Sequence, residues 1–391
     1  MDEVWSDIRM REALQQPDWS DRPQAERVRK LLGVRPALVR AQDLRVLRDA
    51  LARVVGGEAV VIQAGDCAED PGECTPADVS RKVALLDLLA GTLRMNAHKP
   101  VIRAGRIAGQ FAKPRSKATE VAGGTLMPTF RGHMVNGPEP DLEARRPDPL
   151  RMLTCHTAAS DITRHLGWHG DAPLRDPLGP PVWTSHEALV LDYEMPLLRT
   201  GEGGRPFLSS THWPWIGERT RQLDGAHVAL LAEVSNPVGC KVGPSMEPGE
   251  LLALCRRLDP DREPGRLTLI ARMGSGRISD RLPRLVESVR DAGHPVIWLT
   301  DPMHGNTVTA PDGNKTRYVE TVSDEVRRFQ EAVLGAGGVC GGLHLETTPA
   351  DVTECVTCEA DLDHVGDKYL SLCDPRLNPQ QAVSVVSTWN S

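Results

Sequence analysis

The sequence predicts an α/β chain whose parallel strands close into a (β/α)8 barrel behind a short helical extension. Three observations support this. Short apolar, β-branched runs alternate with stretches of helical periodicity, and about eight such runs can be counted. The clearest, Pro295-Val-Ile-Trp-Leu-Thr300, is continuously apolar, as a strand buried in a parallel sheet is. Polar, chemically capable side chains follow several of the runs directly, at the end of the strand where a barrel assembles its chemistry. A doubly wound open sheet is the structural competitor. No G-x-G-x-x-G follows the first run, so a dinucleotide site has no sequence support.

Residues 1–55 are helical in pattern and form the predicted extension; residues 56–391 form the predicted barrel, with a long excursion at about 123–181. In the extension Asp21 stands as a cap before a helical run that Gly33 ends, and 41–55 carries apolar residues at helical spacing. The first strand is predicted at 59–64, followed by Gly65-Asp-Cys67-Ala-Glu69, and a helix over 80–90. The second strand, 100–104, runs into Gly105-Arg106-Ile-Ala-Gly-Gln110 and then Lys113-Pro114-Arg115-Ser116. The excursion is rich in Gly, Pro and charge, with one helical stretch near 151–166. Strand character resumes at 182–190. The count is continued by the runs at 206–213, which leads to Trp215-Ile-Gly-Glu218-Arg219, and at 228–232, which leads to Asn236-Pro-Val-Gly-Cys-Lys241. A helix at 251–258 precedes a strand at 267–271 ending in Arg272. A helix at 282–292 precedes the strand that leads to Asp301-Pro-Met-His304. A helix at 325–333 and a last strand at 338–346 follow, with Cys373-Asp374-Pro-Arg-Leu-Asn378 beyond them.

Composition narrows the class. At 391 residues and 42.7 kDa the chain buries a core without disulfide or metal staples. Hydrophobic residues make up 40% and charged residues 25%, which suits a globular chain, and no apolar run approaches a membrane span. The start, Met1-Asp-Glu-Val-Trp, is acidic and has no basic region before an apolar one, so a cytoplasmic protein is expected. A net charge of -7 argues against a nucleic-acid scaffold. Nine cysteines without an export signal are expected to be reduced, and Cys355-Val-Thr-Cys358 lacks a second pair at zinc-finger distance.

Two chemistries collect at the strand ends. Cys67, His304, Glu346 and Asp374 suit a borderline divalent ion better than Mg2+ or Ca2+. Each also has a structural reading: Cys67 as a small buried residue, His304 as a hydrogen-bonded loop histidine, Glu346 as a salt-bridged acid. Arg106, Lys113, Arg115, Arg219, Lys241 and Arg272 are cations, and a cation at the end of a buried strand needs an anionic partner. Several on one barrel mouth fit a phosphorylated or carboxylated substrate. Arg106 and Arg272 are the leading candidates, since each follows an apolar strand.

With these residues assembled, the chain closely resembles the class II 3-deoxy-D-arabino-heptulosonate 7-phosphate (DAHP) synthases. The matching segments are Gln63-Ala-Gly-Asp-Cys67-Ala-Glu69, Arg106 to Ser116, Trp215 to His227, Asn236 to Pro244, Arg272-Met-Gly274, Asp301 to Thr307, Gly342-Leu-His-Leu-Glu346 and Cys373 to Asn378, in family order. The resemblance implies a TIM barrel that condenses phosphoenolpyruvate (PEP) with erythrose 4-phosphate and water, giving DAHP and phosphate at the first step of the shikimate pathway. It implies Cys67, His304, Glu346 and Asp374 as ligands of one divalent metal, with Mn2+ or Co2+ favoured and Zn2+ or Fe2+ as further candidates. Arg106, Lys241 and Arg272 would hold PEP, with Glu218 and Arg219 beside it. Lys113, Pro114, Arg115 and Ser116 would hold erythrose 4-phosphate. Lys113, Glu218 and a metal-bound water are the candidates for moving protons. A homodimer or tetramer, and a chorismate mutase partner, belong to the same set of expectations.

The chain departs from the family pattern in places. Segment 123–213 is shorter than in long members, which insert helices there associated with aromatic amino-acid feedback; here it holds only the stretch 169–181. Weak or absent feedback by Phe, Tyr or Trp is therefore expected, as in short forms feeding specialised metabolism such as phenazine or ansamycin pathways. Phe130-Arg-Gly-His133 replaces a usual Tyr-Arg-Gly-Asp, and Thr300 stands where a Cys is common. Two rivals are kept: the same chemistry on a modified aldose such as amino-erythrose 4-phosphate, and a non-catalytic, partner-binding homologue.

Overall fold

The computed structural model describes residues 2–168 and 180–390, so most of the 169–181 stretch lies outside the described residues. Eight parallel strands form a closed barrel: β1 (Val60–Gly65), β2 (Val101–Arg106), β3 (Val182–Glu187), β4 (Trp213–Ile216), β5 (Val238–Val242), β6 (Leu267–Ala271), β7 (Ile297–Thr300) and β8 (Cys340–Glu346). They follow one another around the barrel in sequence order, and β8 pairs with β1 to close it. Three helices precede β1: α1 (Asp2–Met10), α2 (Arg22–Gly33) and α3 (Ala41–Val55). Those that follow are α4 (Pro76–Ala97), α5 (Leu150–His165), α6 (Leu191–Glu194), α7 (Ala226–Glu233), α8 (Pro248–Leu258), α9 (Ile278–Asp291), α10 (Val319–Gly335) and α11 (Pro379–Val386).

Two of the counted runs are not barrel strands. The run at 228–232 is helix α7, whose residues from Ala226 to Leu231 are all buried. A helix apolar on every face shows no 3.6-residue stripe and reads like a buried strand. The strand is the next segment, Val238–Val242, so Lys241 lies inside it rather than after it. Within 206–213, Pro206–Leu208 pairs antiparallel with Leu198–Thr200 as a separate ribbon, and the barrel strand starts only at Trp213.

The chain packs as two compact units. The first comprises Met1–Leu44, Ala68–Val79 and Ile107–Asn236; the second comprises Arg45–Cys67, Ser80–Arg106 and Pro237–Ser391. In the first unit Asp21 caps α2 by accepting from the Gln24 amide at 2.8 Å. Glu69 gathers the backbone after β2: its carboxylate accepts from the amides of Ala108, Gly109 and Gln110 at 2.7–3.0 Å.

In the second unit the glycines of β8 and β1 set the approach of strands. Gly342 has φ +138, and a Cβ there would fall 2.0 Å from the Val61 carbonyl oxygen. Helix α11 opens with a reciprocal cap, Asn378 Oδ1 accepting from the Gln381 amide at 3.0 Å and Gln381 Oε1 from the Asn378 amide at 3.2 Å. No disulfide joins any of the nine cysteines. Among the described residues no helix is long and apolar enough to cross a membrane.

Candidate active site

The site in the second unit starts from strand register. Gly65 of β1 stands opposite Arg106 of β2 on one side and Glu346 of β8 on the other. Because Gly65 carries no side chain, Arg106 reaches past it to Glu346, Nη2 to Oε1 at 3.1 Å, with both residues buried. A Cβ at Gly65 would lie 2.8 Å from the Arg106 carbonyl oxygen. Two residues before Glu346, on the same face of β8, stands His344. Its Nε2 lies 2.6 Å from Arg106 Nη1 and its Nδ1 lies 2.6 Å from Gln63 Oε1. Arginine only donates, so His344 Nε2 accepts and Nδ1 carries the proton. Burial, together with Lys241 and Arg106, holds this imidazole well below its ordinary value, in agreement with a neutral ring.

Across the following strands the ladder continues one residue beyond the strand ends. The Arg272 amide donates to the Val242 carbonyl at 2.9 Å, and the Asp301 amide to the Ala271 carbonyl at 2.7 Å. Asp301 is fully buried and takes Lys241 Nζ at 2.5 Å and His304 Nδ1 at 2.8 Å on Oδ2. Burial would raise this carboxyl, but His304 and Lys241 outweigh it and hold it well below the usual range. Lys241 is brought down to about 8, first by burial and then by Arg106 and Arg272, with Asp301 opposing. With Nδ1 of His304 engaged by Asp301, Nε2 is the nitrogen left toward Glu346, 3.6 Å from Oε1.

The segment that carries Asp374 is attached to the end of β8. Leu377 donates to the Glu346 carbonyl at 3.0 Å and Thr348 to the Leu377 carbonyl at 3.0 Å. Beneath it Arg376 pairs with Asp66 and with Glu354, each at 2.8 Å. The outcome is that His304, Glu346 and Asp374 each offer a ligand atom, all within 4.8 Å of one another. Cys67 is not in that trio; its Sγ lies 3.4 Å from Ser371 Oγ, which in turn donates to the Asp374 carbonyl at 2.7 Å. Lys315 Nζ contacts Asp374 at 2.9 Å. Nitrogen and carboxylate donors with a thiol close by fit a divalent ion such as Mn2+, Fe2+, Co2+ or Zn2+. A carboxylate on the far nitrogen of the histidine is the arrangement that orients such a ligand.

The other expected residues lie in the first unit. The Lys113 side chain is buried and its amide donates to the Arg131 carbonyl at 2.9 Å. Pro114 is half-buried and Ser116 exposed. Arg115 is held by Glu120, Nη2 to Oε2 at 3.1 Å, and Glu120 also takes Arg145 at 2.5 Å. Glu218 pairs with Arg221 at 2.9 Å, and Arg219 is exposed. His133 packs edge-on to Phe130 at 5.3 Å between ring centres.

Four participants escaped the sequence reading as site residues. Asp301 and His344 had a signal, standing after one strand and two residues before Glu346 on another. Glu325 and Arg317 had none. Glu325, on α10, accepts from the amides of Met273 and Gly274 at 3.2 and 3.0 Å and from Asn306 Nδ2 at 2.5 Å. Arg317 follows a polar run that reads as solvated loop, yet it is fully buried against Glu346.

Comparison with known proteins identifies the family of the chain. The family model described as "Class-II DAHP synthetase family" matches residues 4–173 and 179–388. A Pseudomonas fluorescens protein named "Probable phospho-2-dehydro-3-deoxyheptonate aldolase" is 59% identical over 380 residues, covering 97% of this chain and 95% of its own. A Streptomyces coelicolor "Phospho-2-dehydro-3-deoxyheptonate aldolase" is 40% identical over 429 aligned positions, covering 98% and 95%. A solved DAHP synthase from Thermotoga maritima is similar at a TM-score of 0.44 and 16% identity, over 85% of this chain and 68% of that one. Matched by the family model along nearly its whole length and by relatives at nearly theirs, the chain belongs to the class-II DAHP synthetase family.

Proposed function

We propose that this chain is a DAHP synthase, a transferase that condenses PEP with erythrose 4-phosphate and water to give DAHP and phosphate. The observation that carries the reading is the pairing of Arg106 with Glu346 and of Lys241 with Asp301, with Arg272 near enough to Lys241 to lower it, beside the trio of His304, Glu346 and Asp374. PEP bears a carboxylate and a phosphate, which guanidinium forks and an ammonium complement. A divalent ion held by His304, Glu346 and Asp374, with Cys67 as the fourth ligand, would supply Lewis acidity toward the aldehyde oxygen. C3 of PEP bonds to the aldehyde carbon, water adds at C2, and the C–O bond to phosphate breaks. Glu218 and Arg219 would stand beside PEP and Lys113 to Ser116 would hold erythrose 4-phosphate, with Lys113 and Glu218 as the chain's own candidates for moving the protons. Mn2+ or Co2+ is the preferred ion.

The proposal extends to a cytoplasmic homo-oligomer, dimer or tetramer, with a chorismate mutase as candidate partner; family resemblance is its support. It extends also to a place in specialised metabolism with little feedback. The Streptomyces alignment spans 429 positions against 391 residues here, so that relative carries segments this chain lacks. One assay tests both levels: PEP consumption by metal-stripped protein with erythrose 4-phosphate, restoring Mn2+, Co2+ or Zn2+ in turn, then adding Phe, Tyr or Trp. Metal-dependent loss of PEP with equal DAHP and phosphate is expected, unchanged by the amino acids. No loss under any metal would overturn the activity, and inhibition at low micromolar amino acid would overturn the feedback reading alone.

A further inference from the structure

Arg317 is a fully buried guanidinium that the proposed reaction does not use. It follows the turn 311–314, and its backbone is fixed, its carbonyl accepting from the Val356 amide at 3.1 Å. Its three nitrogens go to three different segments. Nη2 forms an ion pair with Glu346 Oε2 at the end of β8, at 3.0 Å but outside hydrogen-bond geometry. Nη1 donates to the carbonyl of Pro375, the residue after Asp374. Nε donates to Thr307 Oγ1 at 3.2 Å, three residues after His304. Each of these segments carries one member of the His304, Glu346 and Asp374 trio. The two carboxylate oxygens of Glu346 are thereby divided: Oε2 faces Arg317, while Oε1 takes Arg106 Nη2 at 3.1 Å and faces His304 Nε2 at 3.6 Å.

We propose that Arg317 is the positioning residue of the metal site, fixing the three ligand-bearing segments against one another and leaving Glu346 a single oxygen to offer. The proposal rests on the metal-site reading above. A planar fork with fixed donor directions does this work where a flexible ammonium does not. Electrostatics gives the idea a sign that can be read. A cation beside a divalent ion repels it, so if Arg317 acted through charge alone, removing it would tighten metal binding. If it acts by holding ligands, removing it loosens binding.

The measurement is the Mn2+ dissociation constant from EPR of free Mn2+, without substrates, with the visible spectrum of the Co2+-loaded protein as second readout. Arg317→Met is expected to weaken Mn2+ binding by roughly 10- to 100-fold, as loss of a group orienting metal ligands does. Arg317→Lys, which keeps the charge and loses the three-way reach, should weaken it as well and shift the Co2+ bands. Thr307 is exposed, so Thr307→Val preserves folding should the buried variants precipitate; loss of one hydrogen bond predicts about 3- to 10-fold weaker binding. Mn2+ binding unchanged or tightened in the soluble variants would overturn the role of Arg317. If the unaltered protein itself binds no Mn2+, the metal-site reading falls instead.

Discussion

Asp301 concentrates the residue-scale logic of the site, because one buried carboxylate serves two neighbours of different kind. It orients His304 through Nδ1 and it opposes the discharge of Lys241. A buried ammonium at about 8 holds an anion only while it is protonated, so kcat/KM for PEP is expected to fall as pH rises through about 8. The sign for Asp301→Asn follows. Asp301 is what holds the Lys241 value up, so removing its charge moves that alkaline limb to lower pH. The same change takes a carboxylate from the histidine and should weaken metal binding by roughly 10- to 100-fold. A pH–rate profile of the variant whose alkaline limb stays in place would remove Lys241 as the titrating group. His344 shows how a single hydrogen-bond partner decides a tautomer: the guanidinium on Nε2 leaves the ring neutral and donating to Gln63.

At the scale of elements, helix α10 is tied to two loops of the candidate site through one side chain. Glu325 accepts from the backbone that follows Arg272 and from Asn306, two residues after His304. Burial raises its carboxyl to about 8, against the pull of Asn306 and the two amides. A carboxyl whose folded value lies above its ordinary 4.5 adds stability that is complete below that value and is lost as pH rises to about 8. Glu325→Gln cannot titrate. The stability of the wild-type protein relative to this variant, from urea midpoints at pH 5.5 and 8.5, should therefore fall with pH. Parallel stabilities at the two values would mean that Glu325 is already ionised in the fold. This contact was not legible beforehand. The helix was predicted from 325, so Glu325 read as its first residue, when the element begins a turn and a half earlier at Val319 and turns Glu325 inward. The misreading of α7 has a different cause: its apolar residues cover every face, and periodicity then carries no information.

At the scale of the whole molecule, the barrel and most of the site were legible because both follow from local pattern. Buried strands announce themselves by continuous apolar runs, and a candidate side chain at the end of one or directly after it, as Arg106 and Arg272 are, inherits the position of its strand. Arg317 was not legible, since only tertiary packing turns a residue after a Pro-Asp-Gly-Asn turn into the most buried cation of the site. The same topology predicts how metal couples to stability. His304, Glu346 and Asp374 are brought together only by the folded chain, since Glu346 comes from β8 and Asp374 from a segment docked on it. An unfolded chain holds no such site, so a metal held by the trio would bind the native state alone and raise its stability by RT ln(1 + [M]/Kd). At a hundredfold excess of free metal over Kd this is about 2.7 kcal/mol, and each further tenfold adds about 1.4 kcal/mol. Denaturant midpoints measured over rising free Mn2+ should therefore climb with the logarithm of its concentration, with the slope of a single site. A midpoint indifferent to Mn2+ would mean that the trio of His304, Glu346 and Asp374 does not hold a metal. A climb with twice that slope would mean a second site, for which the described residues offer no other cluster of three ligands.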